Sequence, residues 1–409
     1  MSKDDKDLIV GLDIGTSKVV AMVARLCAEG NPEILGLGSA ESTGLKKGVV
    51  VNIEATVKTI SRVIQEVELM ADCKVREVYT GIAGSHIRSF NANGMVAIKE
   101  KEVSPADVQR VIEVARAMPI PADQQILHTL TQEFIIDGQD GVREPIGMSG
   151  AKLEVRVHMV TGAVSAAQNI VKCVRRCGLE VLDLVLQPLA SSAAVLSEDE
   201  KDLGVCLVDI GGGTTDIAVF TQGAIRHTAV VPIAGDQITN DIAMALRTPT
   251  PEAEEIKLRH GVALAQLADA QQMIEVPGIG ERPPRKLSLH ALADVIEPRV
   301  SELYELVQAE LRRSGYEELL SSGVVLTGGS SVMRGMTELA EEIFHLPARV
   351  GTPKYAGALA ELVRHPRYAT AIGLLVEAAA QRRRGLAAHE TRTVKQVMGR
   401  MKSWFERNF

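Results

Sequence analysis

One pattern occurs twice in this chain of 409 residues. Near the start, Ile9-Val10-Gly11-Leu12 runs through Asp13-Ile14-Gly15-Thr16-Ser17-Lys18 into Val19-Val20-Ala21-Met22-Val23-Ala24. Midway, Val205-Cys206-Leu207-Val208 runs through Asp209-Ile210-Gly211-Gly212-Gly213-Thr214-Thr215-Asp216 into Ile217-Ala218-Val219-Phe220. Each copy reads as a buried strand with an Asp at its end, a turn of Gly, Thr and Ser, then a second strand. The copies stand 196 residues apart, too far for a solenoid repeat. The pattern predicts two related lobes, each opening with a hairpin.

The turn chemistry suits a polyphosphate. Phosphate oxygens need many donors at close range, and backbone N–H groups in tight turns supply them. Gly admits the chain without side-chain interference, and Thr and Ser add hydroxyls. Gly15, Thr16 and Ser17 on one lobe and Gly211, Gly212, Gly213, Thr214 and Thr215 on the other are the candidate cradle. Asp13 and Asp209 are placed to hold the waters of a Mg²⁺ ion, and Lys18 to neutralise phosphate charge. A third unit, the strand 323–326 with Gly328-Gly329-Ser330-Ser331 and a helix from about Met333, faces the adenosine and α-phosphate side. Any one of these turns alone is more often only a turn; three in one chain form a specific set.

Between the two hairpins the texture changes. Ser104-Pro105-Ala106-Asp107 is a helix start, Ser as cap and Pro at the first position, and the helix should run to about Ala117, before Pro119. Strands are expected over 132–136 and 152–161, so residues 84–162 form a small inserted α+β domain. Later helices are expected over 238–246, 253–267, 289–313 (with a kink or boundary at Pro298) and 368–381, and a loop over 277–284. Length alone calls for more than one core, and the division expected is as follows. A first-lobe core takes 7–83, 163–202 and 366–380, a second-lobe core 203–235 and 309–365, a small second-lobe domain 236–308, and a tail 381–409.

Charge is unevenly placed. The chain has a formal net charge of −7, yet the tail from residue 381 onward carries +6, leaving the body at −13. So acidic a body is a poor candidate for nucleic-acid binding, and no nucleic-acid partner is expected. The five cysteines, Cys27, Cys73, Cys173, Cys177 and Cys206, show no metal-site spacing and read as reduced thiols, Cys173 and Cys177 on one helix face. No apolar run is long enough to span a bilayer, and the charged N-terminus lacks a signal region, so the chain is expected in the cytosol.

The tail's last segment is amphipathic. At about 100° per residue, Val394, Val397, Met398, Met401, Trp404, Phe405 and Phe409 fall in one arc, which only Asn408 interrupts. Lys395 and Lys402 border the arc on one side and Arg400 and Arg407 on the other. Apolar groups that enter the acyl boundary beside basic side chains that reach anionic head groups describe a helix lying on a membrane. Packing on the protein's own core, or in a partner's groove, remains the alternative.

These residues resemble the actin, Hsp70 and sugar-kinase superfamily. Its two phosphate motifs, two connecting helices and adenosine motif occur in this order, with Leu186-Gln187-Pro188-Leu189-Ala190 similar to the first connecting helix and 368–377 to the second. The resemblance implies an α/β, actin-like two-lobed fold of duplicated RNase H-like domains, with the inserted α+β domain and a C-terminal amphipathic helix. It implies that ATP with Mg²⁺ occupies the cleft, that Gly235, Asn240 and Met333 contact the nucleotide, and that Glu254 and Lys257 frame adenine and ribose; without it, those two residues are a surface ion pair. Gln187 stands where several relatives have a Glu that polarises the attacking water. Gln orients water but takes no proton, so turnover should be slow at most.

Within the superfamily, three features resemble the FtsA family of bacterial cell-division proteins: the insert, the absence of a long substrate domain, and the terminal helix. So do the stretches 235–243, 253–257, 282–285 and 295–299. The family implies a filament-forming protein at the septum, peripheral on the cytoplasmic face of the inner membrane. It would tether the tubulin-like FtsZ through a C-terminal tail docked on 236–308, with Arg299 a candidate contact, and recruit later division proteins through the insert. A salt-bridged helix surface explains Arg299 equally well. Two other readings compete. A sugar kinase needs an Asp or Glu base in the cleft, and none stands out; a pilus-assembly ATP-binding adaptor shares the insert but not the terminal helix.

Overall fold

In the computed structural model, residues 7–27, 32–280 and 282–384 are described. Two five-stranded sheets repeat one topology. In the first, Pro32–Glu41, Lys18–Leu26 and Leu8–Ile14 form an antiparallel meander, and Glu77–Ile82 and Glu180–Leu186 continue it in parallel. In the second, Ala224–Val231, Thr215–Thr221 and Val205–Ile210 form the meander, continued by Val324–Thr327 and Ala348–Val350. The hairpin strands are apolar along most of their length because both faces are covered, and Val205–Ile210 is buried at every position.

Two helices lie between the sheets: Gln187–Val195, with Pro188 in its first turn, and the helix over 369–384. Ala194, Val195, Ala371, Ile372 and Leu375 share one core with Ile9, Val20 and Met22 of the first sheet and Leu207, Ala218 and Val325 of the second. Ile53–Ala71 packs on the outer side of the first sheet. Beyond the second sheet, Gly235–Leu246, Thr250–His260, the hairpin Met273–Val276 with Arg285–Ser288, and Leu289–Ser314 complete the other end.

The insert is a four-stranded antiparallel sheet, ordered Arg88–Ala97, Lys152–Ala163, Gln124–Ile136, Gln139–Val142, covered by the helix Pro105–Arg116. That helix starts with a full capping box between Ser104 and Asp107 and ends at Ala117, as its sequence signals require.

Two helix boundaries differ from expectation for one reason. Val262 forms a β-bridge with Arg334, and the Ala263 N–H donates to the Arg334 carbonyl at 2.7 Å. The pairing pulls both segments into extended backbone. The helix expected over 253–267 therefore stops at His260 and resumes only as a short turn over Ala265–Leu267. The helix expected from Met333 begins at Met336. Pro298 sits inside the continuous helix Leu289–Ser314 and bounds nothing. Burial pushes the Cys206 thiol up to about 12 and Cys173 to about 11, which suits inert thiols, while Cys27 is exposed. Among the described residues no helix is long and apolar enough to cross a membrane, and the terminal helix expected over 393–409 lies outside them.

Candidate functional site

A cleft of about 1190 Å³ lies between the sheets, and both hairpin turns open onto it. In each turn the first Gly closes the loop: Gly15 N–H donates to the Lys18 carbonyl at 2.9 Å and Gly211 N–H to the Thr214 carbonyl at 3.0 Å. Among the described residues, the N–H groups of Thr16, Ser17, Gly212 and Gly213 have no backbone partner, so they remain available as donors. The turns face each other closely. A Cβ on Gly212 would come within 2.8 Å of the Ser17 side chain, and one on Gly213 within 2.6 Å of Thr16 Oγ1. Gly328, at φ +85°, carries the third segment past Asp209 Oδ1, where a Cβ would meet that oxygen at 2.5 Å.

The cleft gathers most of the residues singled out from the sequence. Asp13, Gly15, Thr16, Ser17, Lys18, Gln187, Asp209, Gly211, Gly212, Gly213 and Thr214 line it around the turns. Asn240, Glu254, Lys257, Gly328, Gly329, Ser330 and Met333 line its other end. Thr215 and Gly235 sit just behind the wall. The Thr215 hydroxyl turns away to the Ile233 carbonyl at 2.7 Å, and the Gly235 carbonyl accepts from Lys257 Nζ at 3.0 Å. Lys257 is buried and also donates to Thr239 Oγ1 at 2.8 Å and Glu254 Oε2 at 2.7 Å, so that pair is part of the cleft wall.

Electrostatics mark the turn end as a cation-seeking site. Lys18 Nζ is 3.2 Å from Asp13 Oδ2, and Gln187 Nε2 donates to Asp13 Oδ1 at 3.1 Å. Burial raises Asp209 to about 6 and Asp216 to about 8, and the neighbouring carboxylates add to both shifts. Buried Asp216 Oδ1 has no hydrogen-bond partner among the described residues, and its Oδ2 accepts from Thr214 Oγ1 at 3.2 Å. No three metal-ligating side chains converge for direct coordination among the described residues. Free N–H donors on two apposed glycine turns, beside carboxylates with one lysine among them, fit a polyphosphate with a hydrated divalent cation.

Asp216, Asp236 and Thr370, which also line the cleft, are additions. Asp216 closes the second motif, where the sequence assigns it no role of its own, and the structure places it on the cleft wall. Arg299 lies elsewhere, on Leu289–Ser314. Its Nε donates to Asp241 Oδ2 at 2.5 Å, its Nη2 to Asp241 Oδ1 at 3.1 Å, and its Nη1 to Glu302.

The family model described as cell division protein FtsA matches residues 206–373, and that described as the SHS2 domain inserted in FtsA matches 84–161. A curated cell division protein FtsA of Pseudomonas aeruginosa is 59% identical, with 98% of each chain covered. The FtsA of Escherichia coli K12 is 44% identical, with 99% of each chain covered. Among solved structures, the PilM-PilN type IV pilus biogenesis complex aligns with TM-score 0.65 at 19% identity, over 91% of this chain and 98% of that one. MreB5 of Spiroplasma citri bound to ADP aligns with TM-score 0.56 at 16% identity, over 91% of this chain and 96% of that one. These two likenesses establish the actin-like fold, with the SHS2 domain inserted in it.

Proposed function

Because the chain belongs to the FtsA family of bacterial cell-division proteins, we propose that it binds ATP with Mg²⁺ in its cleft, polymerises on the cytoplasmic face of the membrane at the septum and tethers the FtsZ ring there. The observation that carries the nucleotide part is the apposition of the two glycine turns over buried carboxylates. The likeness to an actin-like protein bound to ADP supports it.

In this reading the N–H groups of Thr16, Ser17, Gly212 and Gly213 donate to the phosphates, and Lys18 offsets their charge. Asp13 and Asp209 would hold the water shell of Mg²⁺, which would supply positive charge against the phosphates. Glu254, Lys257, Asn240, Gly235, Ser330 and Met333 frame the nucleoside. Gln187, held by Asp13, orients a water without taking its proton, so ATP acts mainly as a structural ligand. The FtsZ tail docks on 236–308 near Arg299, the insert 84–162 meets other copies and later division proteins, and the basic amphipathic segment after residue 393 holds anionic lipid.

Co-sedimentation with anionic liposomes, with and without ATP, tests the whole reading on the full chain and on one ending at Thr393. Lipid binding that requires the last segment and responds to ATP supports it. Equal sedimentation of both chains removes the tether.

A further inference from the structure

The helix Gln187–Val195 touches the end of one strand in each sheet. Gln187, in its first turn, donates Nε2 to Asp13 Oδ1 at 3.1 Å. Ser191, one turn further and about 6 Å along the axis, donates Oγ to Asp209 Oδ2 at 2.5 Å. Ser191 is fully buried and lies 3.0 Å from Thr370 Oγ1 on the other connecting helix. Thr370 Oγ1 also donates to Asp209 Oδ2, at 3.5 Å, and either hydroxyl can be the donor between Ser191 and Thr370. Hydroxyls from both connecting helices therefore converge on one oxygen of the carboxylate.

Serines inside helices usually return the hydroxyl to their own backbone. The next residue does so: Ser192 Oγ donates to the Leu189 carbonyl at 2.7 Å. Ser191 spends its hydroxyl on the strand of the opposite lobe instead. Asp209 Oδ1 takes no hydrogen bond among the described residues and lies beside Gly328, which has no side chain to cover it.

We propose that Ser191, with Thr370 behind it, is a positioning residue for a hydrated divalent cation. It fixes Asp209 Oδ2 so that Oδ1 alone meets the cation's water shell. With Gln187 one turn away, it ties the two carboxylates of opposite lobes to one rigid helix. This inference rests on the reading that the cleft takes a nucleotide with a cation.

The test uses the full-length protein and a fluorescent ATP analogue, titrated by anisotropy in EDTA and then at rising MgCl₂, with melting followed by circular dichroism. In Ser191→Ala, affinity in EDTA should stay within about twofold of wild type, while the Mg²⁺ midpoint rises about tenfold, the lower end for a lost outer-shell partner. Thr370→Val, which keeps the shape and removes the donor, should shift the midpoint in the same direction by a smaller factor. Ser192→Ala should not shift it.

An unchanged midpoint in Ser191→Ala, an equal loss with and without Mg²⁺, or an equal shift in Ser192→Ala overturns the proposal. If Ser191→Ala does not fold, an unshifted Thr370→Val overturns it. Wild-type protein that binds the analogue in neither medium defeats the nucleotide reading itself. Wild-type binding that ignores Mg²⁺ defeats only the positioning role.

Discussion

His158 of the insert and Thr228 of the second lobe's edge strand share a hydrogen bond, Nε2 to Oγ1, at 3.0 Å. The insert leaves the chain from the first lobe yet grips the open edge of the second sheet. Ser89 Oγ donates to the Thr228 carbonyl at 2.8 Å, and Gln132 Nε2 to the Ile225 carbonyl at 3.0 Å. Arg143 Nη2 reaches the Gln222 carbonyl at 2.8 Å and Asp202 Oδ1 at 2.7 Å. Side chains rather than a paired strand thus cover an edge that would otherwise invite strand addition.

The buried imidazole makes this seam sensitive to acid. Burial, with a smaller contribution from His227, lowers His158 from 6.5 to about 4. The folded state therefore favours neutral His158, and its contribution is intact above pH 6.5 and lost as pH falls toward 4. By pH 5 the loss is about 2 kcal/mol, from 1.36 kcal/mol per unit. Denaturant unfolding at pH 7.5 and pH 5 should show wild type losing more stability than His158→Gln by roughly that amount. Identical pH responses of the two proteins would contradict the neutral, buried His158.

Local signals were legible in the sequence and tertiary ones were not. Both hairpins and the Ser104 cap stand out because strand apolarity, turn glycines and the capping residues lie side by side. In the strand Arg88–Ala97, Ser89, Asn91 and Asn93 alternate with Phe90, Ala92 and Gly94, too weakly apolar a face to stand out, and Ser89 and Asn91 are the residues that bond the second lobe. The Val262–Arg334 bridge joins segments 72 residues apart, so no window of sequence contains it. Ser191 carries no sequence signal because its partner, Asp209, lies on a strand of the other lobe. The cleft's cradle was readable since glycine turns announce themselves; its buried carboxylate chemistry needed three-dimensional neighbours.

Asp216 gives a pH dependence of opposite sign. Burial first, then the charge of Asp209, raises it from 3.8 to about 8. A carboxyl with a raised folded pKa contributes its stability below the unfolded value, and loses it as pH rises through the folded one. Between about pH 4 and 8 the nucleotide-free protein should therefore pay a growing cost for this group, which the neutral isostere Asp216→Asn escapes. The stability difference between the two proteins, measured in EDTA without nucleotide, should widen in favour of the Asn variant across that window. A difference constant with pH would show that Asp216 ionises as an ordinary surface carboxylate does.

Arg299 reads differently once its partners are known. Asp241 and Glu302 already engage its guanidinium, and the side chain is 28% exposed. If the acidic FtsZ tail reads this residue, the tail must share or displace Asp241. Arg299→Ala should weaken binding of a tail peptide severalfold, whereas Asp241→Asn, which frees the fork, should bind at least as tightly as wild type. Weakening by both substitutions would mean that the ion pair only holds together the helices Gly235–Leu246 and Leu289–Ser314.

Gly213 offers the sharpest separation of binding from folding. Its Cβ would point at Thr16 Oγ1, 2.6 Å away, and lie 3.0 Å from the Lys47 Cα, so a methyl group there sits between the two turns. Nothing in its backbone demands glycine, because its φ is not in the left-handed region. Gly213→Ala should therefore fold, at a cost of about 1–3 kcal/mol if the turns must shift apart, and lose nucleotide affinity by at least about tenfold, the 1.4 kcal/mol of one displaced contact. Gly141→Ala is the opposite case. At φ +74° with nothing within 4 Å, it strains the backbone without approaching the cleft, so it should cost stability and leave affinity alone. Parallel melting curves and anisotropy titrations of the two variants decide the matter. If Gly213→Ala binds the nucleotide as wild type does, the phosphates do not lie between the hairpin turns, and the cleft's occupant must be sought at its Lys257 end.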